Sequence, residues 1–173
     1  GDVYKRHVYV GTLGIEMDWL STHMRAEIDA KAMDQHKCVP VWLKDDEYVH
    51  CYHHYCKQIL WPAFHYTQPS AQALETEHDA FHAYVKVNQS FADRIVAEYR
   101  EGDVIWIHDY HLLLVPSMVR AVLPRAPIGL FVHIAFPSSE IFRCLSRREE
   151  LLRGMLGADL IGFKTHNTVS YTP

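Results

Sequence analysis

No apolar run in this chain reaches the roughly 18 residues that a membrane-crossing helix needs, so a helical membrane protein is not expected. Positive charge is not in excess: 17 Lys and Arg stand against 21 Asp and Glu, a formal net charge of -4. That balance argues against nucleic acid and against an anionic membrane surface as partners. Cysteine is sparse. The four thiols, Cys38, Cys51, Cys56 and Cys144, show no C-x-x-C spacing, and Cys38 opens an apolar run and reads as buried. A reduced, cytoplasmic protein is the simplest expectation. No G-x-G-x-x-G follows an apolar run, which argues against a dinucleotide-binding or redox Rossmann domain. Repeats, low-complexity tracts and internal linkers are missing. The opening Gly1-Asp-Val-Tyr-Lys-Arg6 shows neither a signal peptide nor an initiator Met, so a fragment or a processed product is expected.

What is present fits one ordinary domain: 173 residues, 49% hydrophobic and 22% charged, enough to bury a sizeable core. Short β-rich runs alternate with helical patterns. His7–Val10 reads as a strand stopped by Gly11, and 18–33 has helical composition. Val39–Leu43 reads as a second strand, with Pro40 pointing to an edge or a bulge. Asp45 or Asp46 is expected to cap a helix running to Leu60. Phe81, Tyr84, Val87, Phe91, Ile95 and Tyr99 recur at three- and four-residue steps, predicting a helix over 79–99. Strand Val104–Ile107 follows, then a helix to about Val122 with Pro116 near its start. Strand Ile128–Val132 leads to a short helix opened by Ser138 or Ser139, with Glu140 favourable near its N-terminus. Ser146 is expected to cap a helix over 147–156 with Gly157 at its C′ position. Leu160–Phe163 is the last strand. Strand and helix in alternation predict an α/β fold with a doubly wound, mostly parallel, Rossmann-like sheet.

Twice an apolar strand ends abruptly in polar residues. Val104–Ile107 runs into His108-Asp-Tyr-His111, and Ile128–Val132 runs into His133-Ile-Ala-Phe-Pro-Ser138. In an open parallel sheet, ligands bind beyond the carboxyl ends of the strands. Asp109 and His133 are therefore candidate polar anchors of one pocket. Asp109 has a second reading, as the cap of the next helix, and the two are compatible. His133 alone reads as a satisfied histidine. Tyr52 and Trp61, on the residues alone, read as aromatic core anchors. The cluster His50-Cys-Tyr-His-His-Tyr-Cys56 invites a metal, but a solvated helix face is the simpler reading, because no complete ligand shell is evident. Gly11-Thr-Leu-Gly14 after a strand reads as a plain turn, though such a loop can approach a phosphate.

Four segments also resemble the trehalose-6-phosphate synthase family, in the family's order. They are Leu60-Trp-Pro-Ala-Phe-His-Tyr66, Trp106-Ile-His-Asp-Tyr-His-Leu112, His133-Ile-Ala-Phe-Pro-Ser-Ser-Glu-Ile-Phe142 and Leu156-Gly-Ala-Asp-Leu-Ile-Gly-Phe163. The resemblance implies residues 1–167 as a partial N-terminal Rossmann-like domain of a GT-B retaining glycosyltransferase, with 168–173 a tail outside the pattern. It implies trehalose biosynthesis: transfer of glucose from UDP-glucose to glucose 6-phosphate, with no cofactor and no metal. Tyr52 and Trp61 would bind the phosphate end of glucose 6-phosphate. Asp109 and His133 would contact and orient the glucosyl groups, and the Gly11–Gly14 loop would approach the nucleotide sugar. An ionised carboxylate accepts sugar hydroxyls strongly, and a phenol O–H and an indole N–H both donate to phosphate oxygens.

Departures from the family matter. Gly-Thr-Leu-Gly stands where active synthases tend to have Gly-Trp-Pro-Gly, as in the synthase-like part of phosphatase proteins. Ala135 replaces a proline. The family's opening Asn-Arg-Leu-Pro strand and its UDP-binding second half have no counterpart. The chain alone is thus expected to be inactive. The alternative is a non-catalytic synthase-like module that scaffolds or regulates a trehalose synthase or phosphatase complex.

Overall fold

The computed structural model describes residues 7–164, so the tail 168–173 lies outside the described residues. Strand β1 (Tyr9–Gly11) leads to α1 (Thr22–His36), where Ser21 caps the first turn by accepting the Met24 N–H at 3.3 Å. Strand β2 (Cys38–Pro40) pairs parallel with β1 and with no other described strand. Pro40 therefore sits on an edge, where a missing N–H is tolerated.

Helix α2 (Asp45–Val49) runs without a break into a π-helix (His50–Leu60) and then α3 (Trp61–Phe64). Lys44, not an aspartate, holds the N-cap position. Asp45 instead accepts the backbone N–H groups of Met17 at 2.7 Å and Asp18 at 3.1 Å, tying down the incoming loop.

Helix α4 (Ala71–Glu75), capped by Ser70, precedes α5 (Glu77–Glu98). The predicted stripe holds: Phe81, Tyr84, Val87 and Phe91 are buried, while Ile95 and Tyr99 are partly so. The stripe packs on the π-helix, with the Tyr55 ring 4.8 Å from Tyr84 and 5.2 Å from Phe81. Strand β3 (Ile105–His108), a 3₁₀ turn (Tyr110–Leu112) and α6 (Val115–Val122) follow. Strand β4 (Ile128–Val132), α7 (Ser139–Phe142), α8 (Arg148–Met155) and β5 (Leu160–Phe163) complete the chain.

Two expected caps differ. Arg147 holds the N-cap position of α8, and Ser146 donates to Glu77 instead. Gly157 is not in a left-handed turn; a Cβ there would fall onto the Pro116–Ser117 backbone, so its role is close packing against α6.

The described strands form two parallel pieces, β1–β2 and β3–β4–β5, rather than one continuous sheet. The free edges of β1 and β3 face a groove of about 230 Å³ lined by Val8, Val10, Trp106 and His108, among others. Arg120 anchors the start of the larger sheet. It reaches the carbonyls of Pro124, Ala126 and Gly157 and pairs with Asp159 at 2.7 Å, while Asp159 also accepts the Ile128 N–H at 2.8 Å.

Two residues of α5 pin the segment after β3. Asn88, fully buried, donates to the carbonyls of Tyr84 and His111 and accepts the Leu114 N–H at 3.1 Å. Tyr84 donates its hydroxyl to the Tyr110 carbonyl and accepts the Leu113 N–H at 3.0 Å. The backbone of 110–114 thus takes its hydrogen bonds from a helix, as a buried loop must find partners somewhere.

Candidate functional site

At the carboxyl end of β3 the chain turns through Asp109, with φ 72° and ψ 170°. That region is essentially a glycine conformation and costs another residue on the order of 1–3 kcal/mol. The Asp109 N–H still bonds the Phe131 carbonyl at 2.7 Å, extending the ladder between β3 and β4. Its Oδ1 accepts the Tyr110 N–H at 2.9 Å and the His133 N–H at 3.3 Å, and its Oδ2 lies 3.8 Å from His111 Nδ1. One carboxylate therefore caps the 3₁₀ turn and ties together the ends of two adjacent strands. The cap reading of Asp109 holds, and it leaves Oδ2 facing His111.

Histidines surround this carboxylate. His108 Nδ1 and His133 Nε2 are 3.1 Å apart, so one ring donates and the other accepts, which requires a neutral ring in the pair. Burial, then the neighbouring His133, lowers the His108 pKa, while Asp109 opposes that. Burial also lowers the His111 pKa, and Asp109 only partly offsets it. His111 Nε2 is buried without a partner among the described residues, as a neutral imidazole can be.

The π-helix supplies the other wall. Tyr52 and Trp61 are nine positions apart. At 3.6 residues per turn, nine residues make two and a half turns, so an α-helix would put the two on opposite faces. A helix bonded i to i−5 takes up nearly one residue more per turn, so nine residues come close to two whole turns. The Trp61 N–H bonds the Cys56 carbonyl, five residues back. As a result both rings flank one ammonium: Lys57 Nζ lies 5.2 Å from the Tyr52 ring and 4.8 Å from the Trp61 ring.

The core-anchor reading of this pair does not survive. Trp61 is 41% exposed and Tyr52 half-buried, while Cys51, Tyr55, Cys56, Ile59 and Leu60 fill the core side of the same helix. The Tyr52 ring stacks on His111 with centroids 5.5 Å apart, and Trp61 lies 6.0 Å from Tyr110. The π-helix pair and the strand-end pair are thereby joined through Tyr110 and His111.

The glycine loop lies beside this cluster without entering it. Thr12, between Gly11 and Gly14, lines a cavity of about 180 Å³ together with Tyr52 and His111. Gly14 has φ 68°, and a Cβ at Gly11 or Gly14 would meet nothing within 4 Å. The histidine-rich cluster splits across the helix: His50 and His54 stack at 5.1 Å, whereas Cys51 and Cys56 are buried. Among the described residues no three His, Cys, Asp or Glu side chains come together as a metal set. Lys57 and Tyr110 are the site residues that sequence reasoning missed. Tyr110 was visible beside Asp109, but Lys57 carried no motif.

The family described as Glycosyltransferase family 20 matches residues 2–171. A putative alpha,alpha-trehalose-phosphate synthase 106 kDa subunit of Schizosaccharomyces pombe is 51% identical over 159 residues, covering 91% of this chain and 17% of that protein. The trehalose synthase complex regulatory subunit TSL1 of Saccharomyces cerevisiae is 50% identical over 164 residues, covering 92% and 15%. The chain thus spans about one sixth of the length of these relatives. Among solved structures, the N-terminal domain of Candida albicans trehalose-6-phosphate phosphatase matches with a TM-score of 0.71 and 44% identity, over 84% of this chain and 31% of that one. A Burkholderia xenovorans trehalose-phosphate synthase in complex with glucose-6-phosphate matches with a TM-score of 0.64 and 34% identity, over 74% and 27%. The parallel α/β architecture is that of part of a GT-B glycosyltransferase. With 170 of its 173 residues matched to the family and the same fold in the solved relatives, this chain belongs to glycosyltransferase family 20 as a trehalose-phosphate synthase-like domain.

Proposed function

We propose that residues 1–167 form the acceptor-binding, N-terminal half of a GT-B protein of trehalose biosynthesis, and that the crevice beyond β3 and β4 takes glucose 6-phosphate. Tyr52 and Trp61 donate to the phosphate. Asp109 accepts sugar hydroxyls through Oδ2, and His133 bonds a further hydroxyl, so that these two orient the reacting sugar. UDP-glucose lies towards the Gly11–Gly14 loop and is held mainly by a second domain. The single observation behind this reading is a chain of contacts: Tyr52 stacks on His111, Trp61 lies beside Tyr110, and the Asp109 carboxylate lies against His111 and accepts the His133 N–H. The relative solved with glucose-6-phosphate supports the choice of ligand. Four free thiols suit a reducing compartment such as the cytoplasm. Among the described residues no helix is long and apolar enough to cross a membrane.

Titration of glucose 6-phosphate followed by NMR at His133 and the Trp61 indole tests this. Both signals should shift together, and Trp61→Phe, which removes only the indole donor, should weaken binding by about 1.5–3 kcal/mol. Shifts confined to 11–14 would move the ligand to the nucleotide side and end the acceptor reading.

A second reading, a regulatory module without turnover in a trehalose synthase complex, draws on the identity to TSL1 and to the regulatory subunit TPS3, the latter 49% over 160 residues. Release of UDP from UDP-glucose and glucose 6-phosphate separates the two. A regulatory module releases none, yet co-purifies with synthase or phosphatase subunits.

A further inference from the structure

Lys57 projects from the π-helix into a box of three rings, with Nζ 4.8 Å from Trp61, 5.2 Å from Tyr52 and 5.8 Å from Tyr110. Its only hydrogen bond to protein among the described residues is donated to the Tyr110 hydroxyl at 3.1 Å. No described carboxylate oxygen lies within 4.0 Å of it, although five of the other described Lys and Arg side chains have such partners. An ammonium carries three donors, so two remain unused. The π-helix brings the Tyr52 and Trp61 rings around the same ammonium, and their O–H and N–H are further donors there. The free groups are therefore a cluster of donors around one uncompensated positive charge.

We propose that Lys57 is a further, cationic anchor of the phosphate-end subsite assigned above to Tyr52 and Trp61, supplying the positive charge that those two neutral donors lack. The chemistry selects the ligand. A sugar hydroxyl both donates and accepts, and little here accepts. A carboxylate offers two oxygens in a plane. A phosphoryl group offers three acceptor oxygens in a tripod, one for each of the Lys57, Tyr52 and Trp61 donors. The Tyr110 hydroxyl, followed by Tyr52, holds the Lys57 ammonium protonated above the usual lysine range, so the charge is present at every physiological pH. The identity of the phosphate's carrier rests on the acceptor reading above; the charge itself does not.

Inorganic phosphate, glucose and glucose 6-phosphate are titrated into the wild type, Lys57→Met, Lys57→Arg and Asp109→Asn, with thermal melts confirming folding. Lys57→Met should weaken inorganic phosphate and glucose 6-phosphate by about tenfold or more and leave glucose unchanged. Lys57→Arg, which keeps the charge, should retain most of the affinity. Wild-type glucose 6-phosphate binding should strengthen as pH rises through about 6, where a phosphate monoester loses its second proton, and this rise should flatten in Lys57→Met. A folded Lys57→Met, or Lys57→Arg with no advantage over it, that binds phosphate like the wild type overturns the subsite. If Asp109→Asn still weakens glucose 6-phosphate in that case, the acceptor reading stands without Lys57. If phosphate binding depends on Lys57 but glucose 6-phosphate binds no better than phosphate and ignores Asp109→Asn, the subsite stands and the acceptor reading falls. Absence of binding by the wild type to both overturns both.

Discussion

The chain leaves β1 and β3 through backbone of the same hand, by opposite means. After β1 the left-handed position is Gly14, φ 68°, with open space where a Cβ would be. After β3 it is Asp109, φ 72°, a residue with every reason to avoid that region. Nothing crowds the first exit. The second is fixed by the Asp109 carboxylate bridging two strand ends, and by Tyr84 and Asn88 holding the next five residues from behind. A strained residue persists only where its neighbours overdetermine it. The β3 exit is therefore a cluster of side chains held in place from two sides, and the β1 exit is open backbone.

The contrast can be broken from behind. Asn88→Ala removes three hydrogen bonds at a fully buried position and leaves the Leu114 N–H and His111 carbonyl unsatisfied. We expect a loss of about 3 kcal/mol in denaturant unfolding, the largest single effect considered, since each orphaned buried group costs about 1–3 kcal/mol. Retention of wild-type stability would mean that 110–114 holds its shape unaided.

The two exits should then respond in opposite senses to a change of Cβ. Gly14→Ala has room, so it should cost only the left-handed backbone, about 1–2 kcal/mol. Asp109→Gly relieves about 1–3 kcal/mol of strain and gives up two hydrogen bonds of about 1 kcal/mol each. Its net stability change should be smaller than that of Gly14→Ala, although the ligand affinity of the crevice collapses. Calorimetry on the pair decides this, and a large destabilisation by Asp109→Gly would show that the carboxylate, not the strain, dominates the turn.

The smallest effect separates the exits by pH. His108 and His111 have pKa values lowered by burial, so the folded state binds their protons less readily than the unfolded chain does. Stability should therefore be full above the ordinary histidine pKa of about 6.5 and decline as pH falls below it. Unfolding midpoints from pH 8 to pH 5 should show this decline, and His111→Gln should flatten it. A slope unchanged by His111→Gln would place the proton uptake elsewhere.

Much of the fold was legible because strand and helix periods differ. Ile128–Val132 and Leu160–Phe163 coincide with their predicted bounds, and the α5 stripe from Phe81 to Phe91 needed only three- and four-residue spacing. The place of Asp109 and His133 at the ends of adjacent strands was legible because an apolar run breaks into polar residues where a parallel strand must end. What escaped was geometry without a compositional mark. The left-handed aspartate, the split between the two sheets and the α-to-π transition at His50 carry no mark in local residue preference. An α-helical reading of 45–60 is the natural one for such residues, yet it sets Tyr52 opposite Trp61. On the residues alone the pair therefore reads as two core aromatics, only the family resemblance joins them, and nothing marks Lys57 between them.

The wide helix has a bearing on how this segment tolerates change. Along any helix, residue number is also an angle, and removing one residue rotates everything beyond it by about 100° in an α-helix. A one-residue deletion between Tyr52 and Trp61 would therefore leave every donor in the sequence and still aim Trp61 away from the ammonium, whereas many point substitutions on the outer face would pass unnoticed. In this stretch the count of residues is under tighter constraint than most of their identities, so comparisons that forgive a single gap here overlook the change that matters most.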